Sequence, residues 1–230
     1  PSVYGNDNAC LLNAIAQLGM DRARGVAVVD LESISDTELQ QLHDGGVRGV
    51  RLNLHVSGSG LQEVKQQIEL ARRIADLPGW HLQVHASLDL HVLMLDACST
   101  VGVPVVLDHF AGGTMPDPES ETLLLRLVNA MREAPIYVKL SAAYRLWSGC
   151  SAEVLTKLFY SVAPQQVVWG SDWPHTGGAG GKGRNPEAIE PFRQIDNSMA
   201  LEQILRSLNN LDAIQRILVD NPARLYGFSN

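Results

Sequence analysis

Asp172 stands where an apolar run ends, in 167-VVWGSDWPHT-176. A carboxylate taken out of water at the end of a buried strand is costly unless it has a partner. It reads in two ways: as a member of an ion pair or a helix-cap partner, or as a group that activates water or binds a metal ion. In the second reading, partial burial raises its pKa towards the working pH. His109 closes another run, 105-VVLDHF-110, and His85 closes 82-LQVHAS-87. Two imidazoles and a carboxylate converging from three strands suit a divalent metal such as zinc, with His85, His109 and Asp172 as ligands. They equally suit a metal-free site, where a histidine polarises a carbonyl and Asp172 takes a proton from water. Asp108, beside His109, is expected to face the other side of the strand as a structural residue.

Arg51, in 48-RGVRLNL-54, adds a cation. Arg48 and Arg51 are three apart and face opposite sides of a strand, and Arg51 lies nearer the active end. A guanidinium there either grips the carboxylate of an anionic substrate or closes an internal ion pair. Arg145, just past 137-YVKLSA-142, is a second candidate for the same task. His175 lines the pocket beside Asp172 or serves the rim. The face of Lys139 is left open, and His43, His55, His81 and His91 carry no partner pattern.

These side chains must be held by a scaffold. Short β-branched runs at 26–30, 47–54, 81–87, 104–110, 136–142 and 167–172 alternate with amphipathic stretches at 7–18, 36–46, 61–76, 88–100, 118–132, 151–162 and 199–208. Near-continuous apolar runs mark parallel strands buried on both faces, and the alternation marks repeated β-α units. Ser35 with Glu38 predicts a capping box, and Asn221-Pro222 predicts a helix start. A doubly wound sheet needs a glycine-rich turn after its first strand, and 30-DLESISD-36 has none. Polar residues close many different strands, which a barrel gathers around one axis. The expectation is a single-domain (β/α)8 TIM-like barrel over 1–230. Six clean strands, and 1-PSVYG-5 as the tail of another, leave it without its first β-α unit and most of the second strand.

Composition narrows the partners. The 230 residues are 45% hydrophobic with a net charge of −7, so a core is available and a nucleic-acid or anionic-membrane partner is not expected. The three cysteines, Cys10, Cys98 and Cys150, are too few and too scattered for a disulfide frame, and read as reduced, near-core thiols of a cytoplasmic protein.

With 46-GVRGVRLNL-54, 106-VLDHFAG-112, 168-VWGSDWPH-175 and 220-DNPARLYGF-228, the chain resembles the amidohydrolase superfamily, in the branch of metal-independent lactonases related to 2-pyrone-4,6-dicarboxylate lactonase. The resemblance implies a (β/α)8 barrel that hydrolyses a carboxylated lactone without a cofactor. It makes Asp172 the general base and His109 a carbonyl-polarising group. Arg51 and Arg145 become carboxylate-binding residues assisted by Ser2, and His85 takes the place of a metal ligand in metal-using relatives. Two departures stand out: no His-x-His occurs in the chain, and 55-HVSGSG-60 lacks the further basic residue of the dicarboxylate lactonase. Sugar-acid lactones therefore stay open as substrates. The alternatives are a metal-dependent amidohydrolase or decarboxylase on the same barrel, or an inactive fragment that binds a ligand or pairs through an open edge into a homo-oligomer.

Overall fold

The computed structural model describes residues 4–30, 32–54, 68–98, 102–113, 117–176, 189 and 191–228. Six parallel strands, β1 (Gly25–Ala27), β2 (Val47–Asn53), β3 (His81–His85), β4 (Val105–Leu107), β5 (Ile136–Leu140) and β6 (Val167–Trp169), form one sheet in the order β1 to β6. Each strand pairs with its neighbour in sequence, without the reversal of order that defines a doubly wound sheet. The six expected strands are all present. Residues 1–3, which include most of the expected seventh, lie outside the described residues.

The helices are α1 (Ala9–Leu18), α2 (Asp36–Asp44), α3 (68–74), α4 (Leu88–Cys98), α5 (Pro118–Glu133), α6 (Ala152–Val162), α7 (Asn197–Leu208), α8 (Leu211–Gln215) and α9 (Asn221–Tyr226). Their starts follow the sequence where a side chain can accept an orphan N–H. Ser35 and Glu38 form the reciprocal capping box. Asp117, Ser151 and Asp196 cap α5, α6 and α7. Asn221 departs from its expected role as a cap. Its backbone is helical, and its buried amide donates to the Val167 and Pro164 carbonyls at 2.7 and 2.9 Å, which ties α9 to the start of β6. A π-turn at Arg216–Asp220 runs into α9 without a break, so no free N-terminus is left for Asn221 to cap.

Two apolar layers flank the sheet. The larger packs helices against its outer face around Trp80, Phe110, Phe159, Leu127 and Ile74. Full burial of one such side chain contributes roughly 1.5–3 kcal/mol. The smaller lies on the inner face, where Val106, Tyr137 and Val168 meet Leu225 and Tyr226. Strand register places Gly49, Arg51 and Asn53 beside His81, Gln83 and His85 on this face. Gly49 is required there, because a Cβ would fall 2.6 Å from the His81 ring. His81 is fully buried against the edge of Tyr226, and burial, with the charge of Lys139, lowers its pKa to about 3.

Above this apolar floor the inner face turns ionic. Asp108 pairs with Lys139 at 2.9 Å and with Arg51 at 3.1 Å, and accepts from the Gln83 amide at 3.0 Å. Arg51 is on β2 and Asp108 follows β4, two strand spacings of about 4.8 Å away. A single short carboxylate is reached from β2 and β5 at once because the sheet curls inward. This also fixes Lys139 as inward-facing. No helix of the described residues is long and apolar enough to cross a membrane. Cys10 is exposed rather than near the core, and Cys150 is half-buried.

Candidate active site

The site is built where strands end in left-handed backbone. Asp108 N–H still donates to Val84 O at 2.8 Å, so Asp108 continues the β4 ladder and shares the inner face with Val106. The expectation that Asp108 faces the helices is therefore corrected. It assumed strict alternation, which requires extended backbone on both residues. His109 has φ +52°, followed by Phe110 at +54° and Ala111 at +56°, and this turn brings the imidazole in as well. Ala142 after β5 and Asp172 after β6 adopt the same region, at +52° and +60°. Gly112 closes the turn after β4, where a Cβ would sit 2.6 Å from Ala86 O.

Asp172 gathers three neighbours. Its Oδ2 accepts from the Tyr144 hydroxyl at 2.6 Å and from Arg145 Nε at 3.1 Å. Its Oδ1 lies 3.8 Å from His109 Nε2, beyond hydrogen-bond reach. Burial alone would raise the carboxyl, yet His109, the Tyr144 hydroxyl and Arg145 hold it below its ordinary value. The sequence expectation of a raised pKa is thus reversed, because two donors meet one oxygen. The Tyr144 hydroxyl is pushed up to about 12 by burial and by its bond to Asp172, so it remains a donor.

His109 is buried, and its Nδ1 lies 2.8 Å from Ser141 Oγ. Burial, helped by Arg145 and Arg51, lowers its pKa to about 4 against the pull of Asp108 and Asp172, so the ring is neutral near pH 7. His85 packs edge-on against it with ring centroids 4.6 Å apart, as neighbouring strand ends require. His175 is buried and meets the Tyr144 ring edge-on at 5.8 Å, one turn beyond Asp172.

Asp172, His109, His85, Arg145 and His175 therefore share one end of the sheet. Arg51 lies on the same inner face and is engaged by Asp108. Arg145 is engaged by Asp172 and also donates to Thr176 O at 2.9 Å. Ser2 lies outside the described residues. Among the described residues no group of three His, Cys, Asp or Glu is arranged to hold a metal ion. The expected zinc set of His85, His109 and Asp172 has a guanidinium on its carboxylate, a poor neighbour for a divalent cation. A cavity of about 370 Å³ lies between the ends of β5 and β6 and helices α6 and α7, lined by Leu140, Trp169, Ala152 and Ile204; Ser141 and Tyr144 border it, and Asp172, His109, His85 and Arg145 do not.

Tyr144 was not singled out by sequence, although it adjoins Arg145 in the 3-10 turn after β5. Its importance tests directly. Tyr144→Phe removes one of the donors that hold Asp172 ionised, so the acid limb of kcat/KM is expected to move to higher pH. On the acid side of the shifted limb the loss approaches about tenfold, in line with a hydrogen bond to a charged group, while near pH 7 the rate changes little. An unmoved limb would show that the Tyr144–Asp172 bond does not set it.

Known proteins resemble this chain over nearly its whole length and over about three quarters of their own. A 2-pyrone-4,6-dicarboxylate hydrolase of Comamonas testosteroni is 33% identical over 241 residues, covering 97% of this chain and 72% of that protein. A 4-sulfomuconolactone hydrolase of Rhizobium radiobacter is 27% identical over 234 residues, covering 99% and 73%. A crystal structure from Acinetobacter baumannii, provisionally named 2-pyrone-4,6-dicarboxylic acid hydrolase and solved with citric acid bound, superposes with a TM-score of 0.79 at 27% identity, covering 99% of this chain and 81% of that one. The amidohydrolase family pattern matches residues 1–228, and with the curled parallel sheet and its rim of strand-end residues the chain belongs to the amidohydrolase family.

Proposed function

We propose that the protein is a hydrolase that opens small anionic lactones, with Asp172 as general base. The observation that carries this reading is the pairing of an ionised Asp172 with a neutral His109 across 3.8 Å, two groups close enough to serve one reacting centre and not bonded to each other. Relatives named for lactone hydrolysis support the reaction class.

Water gives a proton to Asp172 while its oxygen bonds to the lactone carbonyl carbon. The ring C–O bond then breaks, and the proton on Asp172 passes to the leaving oxygen, giving the open hydroxy acid. With the Ser141 hydroxyl donating to Nδ1, His109 keeps its proton on Nε2 and donates to the carbonyl oxygen as charge builds. Arg145 holds Asp172 when no substrate is present. A substrate carboxylate competes for that guanidinium, and releasing it returns basicity to Asp172 at the moment of use. Arg51, already on Asp108, offers the rest of its fork to a second oxygen.

The test is a panel of carboxylated and neutral lactones, followed by proton release with the full chain. Carboxylated lactones are expected to turn over at least about tenfold faster in kcat/KM, the worth of one charge-assisted contact. Failure to open any lactone in the panel would remove the reading.

A further inference from the structure

Arg193 belongs to no motif, in 189-IEPFRQI-195, yet the fold brings it to the site. Its backbone N–H donates to His175 O at 3.0 Å, which fixes the segment before α7 to the turn that carries Asp172. Its guanidinium carbon lies 5.6 Å from the centre of the Tyr144 ring. The Arg145 guanidinium carbon lies 5.1 Å from the same ring, and the hydroxyl of that ring is bonded to Asp172.

Asp172 answers Arg145, whereas Arg193 is exposed and has no carboxylate partner among the described residues. The charges around the site make the same point. Arg51 and Lys139 face Asp108, and Arg145 faces Asp172. With His109 neutral, four cations counting Arg193 meet two carboxylates, a surplus of two positive charges among the described residues. A ligand carrying one negative charge would leave one of them unanswered.

We infer that Arg193 is a specificity-determining residue that receives a second anionic group, carboxylate or sulfonate, of a dianionic lactone whose first anionic group is taken by Arg145. The inference rests on the hydrolase reading for the word lactone, and on the geometry of Arg193, Tyr144 and Arg145 for the charge.

The test uses binding, so that it does not depend on turnover. Isophthalate, 3-sulfobenzoate and benzoate are titrated by calorimetry into the full chain and into Arg193→Met and Arg193→Lys. Methionine keeps an aliphatic stem over Tyr144 and removes the charge. The wild type is expected to prefer each dianion over benzoate by about tenfold or more, Arg193→Met to bring the ratio close to one, and Arg193→Lys to keep part of it. A dicarboxylate preference without a sulfonate preference, or the reverse, identifies which second group the site takes. Parallel losses on benzoate and the dianions would show that Arg193 only supports Tyr144, and would overturn the inference. So would an unchanged preference in Arg193→Met, or a wild type that binds no dianion. If the binding pattern holds while no lactone is opened, the hydrolase reading falls and the assignment of Arg193 stands.

Discussion

Asp172→Asn is expected to lower kcat by about 10² to 10⁴, the usual contribution of a positioned general base, equivalent to about 3–5 kcal/mol of barrier. The amide keeps an oxygen for Tyr144 and Arg145 but cannot accept a proton from water. Binding is expected to move the other way. In the wild type the Asp172 carboxylate holds Arg145 at 3.1 Å and competes with an anionic ligand for it. Removing that charge frees the guanidinium, so isophthalate binds equally well or more tightly. The combination of lost turnover and retained or improved affinity is what a general base predicts. Near-normal turnover would remove Asp172 from the mechanism, and a large loss of affinity would make it structural.

Asp108→Ala is the second large effect, and it falls on stability. Asp108 is almost fully buried and answers two cations, Lys139 at 2.9 Å and Arg51 at 3.1 Å. Deleting it leaves both without their carboxylate on the inner face. Removing one partner from a buried charged set costs about 3–5 kcal/mol, a large part of the stability of a typical domain. Urea unfolding at pH 7 measures it, and a loss under about 0.5 kcal/mol, typical of a surface change, would contradict the assignment. Asp108→Asn with Lys139→Met removes opposite charges together and is expected to recover part of the loss.

The pH dependence follows from the same group. Burial raises Asp108, but Lys139 and Arg51 more than reverse this, so its folded pKa is depressed. A depressed carboxylate contributes stability above its unfolded pKa of about 3.9 and loses it as pH falls below. Lys139 is the mirror case. Burial lowers it, Asp108 more than compensates, and its raised pKa contributes stability that fades only as pH rises through the alkaline range. Acid unfolding of the wild type should therefore be steeper than that of Asp108→Asn.

The strands and most helices could be read from the chain because their signals are local. Apolar runs gave six strands, and Ser35 with Glu38 gave a cap that the structure reproduces atom for atom. The placement of Asp172, His109 and His85 at strand ends was legible for the same reason. What was not legible depends on backbone sign and long-range reach. Alternation mispredicts Asp108 because the residue after it is left-handed, and nothing in VVLDHF announces that. Lys139 has an inner face only because a carboxylate from β4 and a guanidinium from β2 meet it there. Arg193 lies 49 positions from Tyr144 in sequence and reaches it only through the fold.

The left-handed tips of β4, β5 and β6 also bear on how this site can change. The last fully apolar residues before these tips are Leu107, Leu140 and Val168, and Phe110 and Ala111 return to the core directly after His109. The backbone restricts the choice there as well as the neighbours: glycine, asparagine and aspartate enter that region readily, whereas β-branched residues are disfavoured. A combinatorial library at these three positions should keep its folded members among short or unbranched side chains. New chemistries on this sheet would then arise at the tips, with the ionic layer around Asp108 passed on unaltered.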